Sequence, residues 1–280
     1  MYYFYADKEF LPTMALNDDN TKTQVIVSLT SFPAAISFVL PTVKSILAGT
    51  VLPDRIVLYL TYSQFGGEEG IPQDLRDFAR ENPIFEIRNY DSEIRSYRKL
   101  IPALKDFPEA VIVTIDDDTD YHPDMLASLL RLHERFPDRV LAHRAKRILP
   151  DKPYRKWPKL RWYHFLGEKI KISPAIIQTG VGGVLYPPHS LKTDMLDEEL
   201  FRSLAPTTDD IWFWAAAVAN GTTVMPVPFG PHNKPKGLGK PRELALKSVN
   251  FKSGTDRNDA AFKAIIEKYP SIYQRLKNER

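Results

Sequence analysis

The sequence predicts an α/β fold, a mostly parallel central sheet flanked by helices, on three observations. Short β-branched runs alternate with stretches of helical periodicity through the first half of the chain, the βαβαβαβ order that right-handed parallel crossovers produce. One run, Val111-Ile112-Val113-Thr114-Ile115, has the length and apolarity of a strand buried on both faces. It ends in Asp116-Asp117-Asp118-Thr119-Asp120, four carboxylates within five positions, delivered to the end of a sheet.

Taken in order, residues 24–33 form the first strand, stopped by Pro33. Residues 38–48 carry Val39, Leu40, Val43, Ile46 and Leu47 at helical spacing, with Pro41 tolerable in the first turn and Gly49 as the stop. Residues 55–61 are the second strand and residues 62–70 a loop. Residues 72–81 read as a short helix, 85–88 as the third strand, and 95–107 as a helix feeding the strand at Val111. Ligands of such sheets sit beyond the carboxyl ends of the strands at a topological switch point. That puts Thr30, Ser31, Thr61, Asp91 and Asp116 to Asp118 on one rim.

In an extended segment residues i and i+2 face the same way, so Asp116 and Asp118 point into one site while Asp117 turns aside. Mg²⁺ or Mn²⁺ is held by one or two carboxylates plus phosphate oxygens, which suits that pair. The alternative is a solvated acidic turn that caps the helix starting near Met125.

The second half is less regular. Residues 125–136 read as a helix and 140–144 as a strand. The segment 144–171 is rich in Lys and Arg, opposed only by Asp151 and Glu168, with Tyr154, Trp157, Trp162, Tyr163 and Phe165 interleaved. It suits stacking of sugars, an anionic acceptor or peripheral contact with an anionic membrane, or else a solvated loop. Gly180, Gly182 and Gly183 beside an apolar strand fit close approach to a ligand or a tight bulge. Asp209 and Asp210 open a strongly apolar helix, where they either cap it or supply a second acidic locus for acid–base chemistry. After a strand at 224–227, the loop 229–241 is dense in Gly, Pro and Lys and is expected to be mobile, either an exposed connector or a flap over a charged leaving group. A helix at 259–269 and a basic tail from Pro270 end the chain.

Composition sets limits. With 43% hydrophobic and 26% charged residues the chain is ordinary globular protein, enough for one large α/β domain or two small ones. A net charge of +3 gives no reason to expect nucleic acid as a partner. The absence of Cys excludes disulfides, Cys-ligated zinc and thiol catalysis. No apolar run reaches the roughly 18 residues of a membrane span, and the start lacks the basic region and cleavage site of a signal peptide. The expected location is cytoplasmic, with contact at the inner face of the membrane through 144–171 as the peripheral option.

The ordered set Val25-Ile26-Val27-Ser28-Leu29-Thr30-Ser31, Pro53-Asp54-Arg55-Ile56-Val57-Leu58, Ser96-Tyr97-Arg98-Lys99-Leu100-Ile101-Pro102-Ala103-Leu104, Asp116-Asp117-Asp118, Thr179-Gly180-Val181-Gly182-Gly183-Val184-Leu185-Tyr186-Pro187 and Asp209-Asp210-Ile211-Trp212-Phe213-Trp214 resembles bacterial family-two-like glycosyltransferases of the GT-A fold, from capsule and lipopolysaccharide clusters. The resemblance spans residues 24–229. It implies a single Rossmann-like GT-A domain using a nucleotide-sugar donor, UDP-sugar by default, and a glycan or lipid-linked acceptor. By the resemblance, Thr30, Ser31, Phe32 and Thr61 hold base and ribose, and Lys99 and Arg95 lie near the nucleotide. Asp117, Gly182 and Gly183 are counted with these donor-binding residues. Asp116, Asp118 and His232 are the implied ligands of Mn²⁺ or Mg²⁺, Asp210 the catalytic base, and Asp209 the group that orients donor sugar or acceptor. The implied organisation is an N-terminal extension (1–23), a nucleotide-binding half (24–124), an acceptor-binding and catalytic half (125–250), and a C-terminal helix with a basic tail (251–280).

The expected chemistry is transfer with inversion, in which metal and cationic side chains neutralise the leaving diphosphate and a carboxylate takes the acceptor proton from the opposite face. Two rivals stand beside it. A haloacid-dehalogenase-like phosphatase also uses Asp-x-Asp after an apolar strand, but its motif continues with Gly-Thr on the first strand, whereas Thr119-Asp120 follows here on the fourth. A non-catalytic sugar-nucleotide-binding protein is the other. Retention of configuration is a further variant of the transferase reading.

Overall fold

The computed structural model describes residues 23–160, 173–241, 243 and 256–278. The N-terminal extension, apart from residue 23, and the part of the basic aromatic segment beyond residue 160 lie outside the described residues.

The chain is a mixed α/β protein with a seven-stranded, mostly parallel sheet between helices. Its order is β10-β6-β9-β4-β1-β2-β3. These strands are β1 (Val25–Thr30), β2 (Arg55–Leu60), β3 (Phe85–Asn89), β4 (Val111–Thr114), β6 (Val140–Ala142), β9 (Val184–Tyr186) and β10 (Val224–Pro226). Between them lie the short strands β5 (Thr119–Asp120), β7 (Ala145–Arg147) and β8 (Ile176–Gln178). β1 runs parallel to β2 and to β4, and β9 runs antiparallel to both β4 and β6. The chain leaves β1 toward β2 and β3 on one side, then returns to β4 on the other. The crevice at the carboxyl ends of β1 and β4 is therefore the switch point where a ligand is expected.

Alternation in each strand fills two cores. Val25, Val27 and Leu29 of β1 face α1 (Val39–Leu47), α2 (Gln73–Glu81) and α4 (Met125–Arg135). Ile26 and, from β2, Val57 and Tyr59 face the other core. That core takes α3 (Ile101–Asp106), α5 (Glu198–Leu204), α6 (Asp209–Ala219), α7 (Arg257–Lys268) and α8 (Pro270–Lys277). α6 is apolar all round because it is enclosed: Trp212 and Trp214 are fully buried, their indole N–H groups donating to the carbonyls of Met195 (2.7 Å) and Pro174 (2.8 Å).

Several expectations change. The helix expected at 95–107 is a 3-10 turn (Arg95–Lys99) followed by the separate helix α3, because Pro102 starts a new helix instead of extending the old one. The strand expected at 140–144 ends at Ala142, and the chain re-forms as β7, which pairs with β8 outside the main sheet. The tail after Pro270 is the helix α8, whose Ile272 and Leu276 are buried. The helix α5 carried no expectation. The Gly- and Pro-rich loop is fastened down: β11 (Lys236–Gly237) pairs antiparallel with β5, and Leu238 N–H donates to Asp118 O at 2.8 Å.

Candidate active site

At the carboxyl ends of β1 and β4 opens a cavity of about 1670 Å³. The acidic turn forms its floor and is held from below by α1. Thr42 hydroxyl donates to Asp117 O (2.9 Å) and accepts from Thr119 N–H (3.1 Å), while Ser45 hydroxyl accepts from Tyr121 N–H (3.1 Å). The expectation that Asp117 turns aside is corrected in one respect: it turns inward and is the best buried of the three. Its side chain is 8% exposed, against 30% for Asp116 and 29% for Asp118. Ser31, at the end of β1, donates to one oxygen of Asp117 (2.5 Å), and Lys240 Nζ reaches the other at 2.8 Å and Asp118 at 3.5 Å. Burial raises the pKa of Asp117, against the pull of Lys240 and Ser31.

Facing the turn is the start of α6. Thr208 holds the N-cap position without a side-chain cap bond, and the carboxylates that follow it are used for other contacts, which removes the pure capping alternative. Asp209 accepts from Ser96 hydroxyl (2.8 Å) and lies 3.3 Å from Lys99 Nζ. Asp210 accepts from Gly180 N–H (3.0 Å), and its own carbonyl accepts from Gln178 Nε2 (3.0 Å). Lys99 also lies 3.1 Å from Asp116, so one buried ammonium ties both acidic loci together. Burial works against its charge, but Asp116, Asp209 and Asp210 outweigh that and hold its pKa well above the ordinary lysine value. For Asp210 burial acts first and the neighbouring Asp209 second, pushing its pKa up to about 7.

Gly180 explains how these groups fit. A Cβ there would sit 2.7 Å from Lys99 Nζ and 3.3 Å from Asp210 Oδ1. Gly182 and Gly183 do something else. Both adopt positive φ (127° and 97°), and a Cβ on Gly183 would meet Met125 Sδ at 2.9 Å, so they serve the turn and its packing on α4. Neither lines the cavity.

Of the other expected residues, Thr30, Ser31, Phe32, Arg95 and Lys99 line the cavity. Thr61 is buried, with its hydroxyl donating to Tyr90 O (3.0 Å), and it joins β2 to the end of β3. His232 is brought to neither acidic locus. Its Nε2 meets Pro228 O at 3.1 Å, its ring lies edge-on to His143, and the charges it feels are those of His122, Arg131 and Asp124. Among the described residues no cluster of three or more His, Cys, Asp or Glu is arranged as a metal site. Asp116 and Asp118, exposed to the cavity, remain a pair of carboxylates of the kind that shares Mg²⁺ or Mn²⁺ with phosphate oxygens.

Lys240, Ser96 and Thr42 carried no individual expectation, and Gly180 was read only together with Gly182 and Gly183. Lys240 was visible only as one of three lysines in the loop, and Ser96 only as lying three residues before Lys99.

No protein-family model and no curated protein sequence matches the chain. Among solved structures it is similar to a mannosyltransferase from Pyrobaculum calidifontis in complex with GDP-mannose and Mn²⁺. The identity is 14% and the TM-score 0.50, over 92% of this chain and 73% of that one. A looser likeness, with 14% identity and a TM-score of 0.44 over 81% of this chain and 98% of the other, is to a 4-diphosphocytidyl-2C-methyl-D-erythritol synthase. The first likeness shows the fold alone: the α/β architecture is of the kind found in that mannosyltransferase. Among the described residues no helix is long and apolar enough to cross a membrane.

Proposed function

We propose that this chain is a glycosyltransferase that moves a hexose from a nucleoside-diphosphate donor, by default a UDP-sugar, to a saccharide hydroxyl on a glycan or lipid-linked acceptor, with inversion, in bacterial surface polysaccharide synthesis. The observation that carries the reading is the pairing of two acidic loci across one cavity: Lys99 Nζ stands 3.1 Å from Asp116 and 3.3 Å from Asp209. The structural neighbour solved with GDP-mannose and Mn²⁺ supports it at the level of fold.

In this reading Thr30, Ser31 and Phe32 border the nucleotide. Asp116 and Asp118 would hold Mn²⁺ or Mg²⁺, which supplies Lewis acidity to the leaving diphosphate. Lys99 holds Asp116 and Asp209 in place. Asp209, with Ser96 and Lys99 on its oxygens, positions Lys99 and raises the proton affinity of Asp210. Asp210 takes the proton of the acceptor hydroxyl as that oxygen bonds to the anomeric carbon and the bond to the diphosphate breaks. A base with its pKa close to neutral is matched to that task.

The test is a thermal-shift titration with UDP, GDP, CMP and their sugar conjugates, with and without Mn²⁺. A ligand that binds only the folded state raises its melting temperature by mass action. A metal-dependent rise with one nucleotide is expected and names the donor class. No rise with any of them, in folded protein, overturns the transferase reading.

A further inference from the structure

We propose that Lys240 is a latch on the donor site: it contends with the divalent cation for Asp118, so that metal binding requires the strap 236–240 to lift off the acidic turn. The proposal deepens the transferase reading and rests on its metal pair, Asp116 and Asp118.

Lys240 neutralises the turn from within the chain. Its Nζ stands 2.8 Å from Asp117 and 3.5 Å from Asp118, while Lys99 Nζ stands 3.1 Å from Asp116. Each of the three successive carboxylates therefore has an ammonium group beside it. The contact is enclosed, with the Lys240 side chain only 11% exposed. The same ammonium lies over the ring of Phe32, 5.4 Å from its centroid. One side chain thus reaches from the metal pair to the aromatic ring that borders the nucleotide.

The strap is tied to the same few residues that would meet the cation. Lys236 pairs with Asp120, Gly237 with Thr119, and Leu238 N–H donates to Asp118 O at 2.8 Å. Gly239, with φ at 85°, then turns the chain so that Lys240 follows onto the turn. None of residues 236–240 is fully buried, and a ladder of two residues is weak by itself. The strap is therefore held by hydrogen bonds and charge, and both depend on how Asp118 is engaged.

Charge sets the competition. A divalent cation on Asp116 and Asp118 places two positive charges beside the Lys240 ammonium, and like charges so close in a partly enclosed site repel. Lys240 has to give up Asp118 for the cation to take it. A donor diphosphate reverses the balance, because its negative charge offers the displaced ammonium a new partner. Lys240 therefore disfavours metal alone and favours metal together with a nucleoside diphosphate, a coupling that acts equally in both directions.

The experiment uses the full chain and Mn²⁺ alone as the probe. Binding is read from the electron paramagnetic resonance signal of the free ion, for wild type, K240M, K240R and K236M. K240M is expected to bind Mn²⁺ about ten-fold more tightly than wild type. K240R keeps the charge and should stay near wild type, as should K236M, whose lysine is exposed on β11. In the wild type, saturating Mn²⁺ should speed amide exchange at Leu238 by about ten-fold and leave Ile112 unchanged. A K240M protein that binds Mn²⁺ no more tightly than wild type overturns the proposal. Equal tightening in K236M also overturns it, since net charge and not the latch would be the cause. Leu238 exchange that Mn²⁺ leaves alone or slows overturns it without any variant. Mn²⁺ binding to none of the four proteins overturns it as well. A nucleotide that still raises the melting temperature then leaves the transferase reading standing, whereas a protein stabilised by no nucleotide fails that reading first.

Discussion

Asp210 carries two consequences of one placement. Its pKa rises from the ordinary 3.8 to about 7, so between those values the folded protein keeps a proton that the unfolded chain releases. The group therefore supports folding fully below about pH 4, and that support is lost as pH rises through about 7. Asp210→Asn keeps an oxygen for the Gly180 N–H and removes the charge. The variant should melt at the wild-type temperature at about pH 4 and below and above it at pH 8, and its sugar transfer should fall by about 10²–10⁴-fold. Full activity would show that Asp210 is not the base, and melting curves whose difference does not change with pH would show that its charge is not suppressed. Lys99 is the counterpart. Lys99→Met leaves Asp116 and Asp209 without their cation and should cost about 3–5 kcal/mol in urea unfolding at pH 7. Adding Asp209→Asn should recover part of that loss, and strict additivity of the two changes would contradict the shared pairing. At this scale the sequence marked which carboxylates to watch, since Asp-x-Asp after a buried strand and Asp209-Asp210 at a helix start are local patterns. It did not show that Asp117 turns inward, because its partners Ser31 and Lys240 are 86 and 123 residues away.

Elements decide which glycine matters for which property. Gly180 stands against Lys99 and Asp210, so Gly180→Ala moves the ammonium and the base without opposing the backbone. It should reduce transfer by up to about 10²-fold while lowering the melting temperature little, because small displacements at the chemistry are costly to rate. Gly183→Ala meets Met125 Sδ at 2.9 Å with φ at 97°, and should lower stability by about 1–3 kcal/mol in denaturant titration. If the two variants exchanged these profiles, the assignment of Gly180 to the site and Gly183 to packing would be wrong. β1, α1 and α2 were legible because each is a short patterned run closed near Pro33, Gly49 or Pro83. The break at Leu100 was not, although Pro102 was in view, because a Pro early in a periodic stretch marks either a first turn or a new helix. That break matters for the site: the 3-10 turn places Ser96 and Lys99 on the same carboxylate, Asp209. The place of His232 beside Pro228 and His143 was hidden for a related reason, since a His in a loop has no periodicity to say which way it faces.

Over the whole molecule the site is closed by a contact between distant parts of the chain. Strand β11 pairs with β5, Leu238 N–H donates to Asp118 O at 2.8 Å, and Lys240 spans Asp117 and Asp118. Composition alone made this loop look mobile, and its tertiary partners override that. Two antiparallel residues make a weak ladder by themselves, so the charged contact of Lys240 should supply most of the loop's local stability. A hydrogen bond to a charged group is worth about 1.5–3 kcal/mol. Lys240→Met should therefore speed exchange of the Leu238 amide by about 10–100-fold, because that amide exchanges through local opening. Ile112 and Val113, in the centre of the sheet, exchange only through global unfolding and should slow or quicken far less. Exchange rising equally at all three amides would mean that the loop opens only with the whole fold, and an unchanged Leu238 would mean that Lys240 does not hold it down.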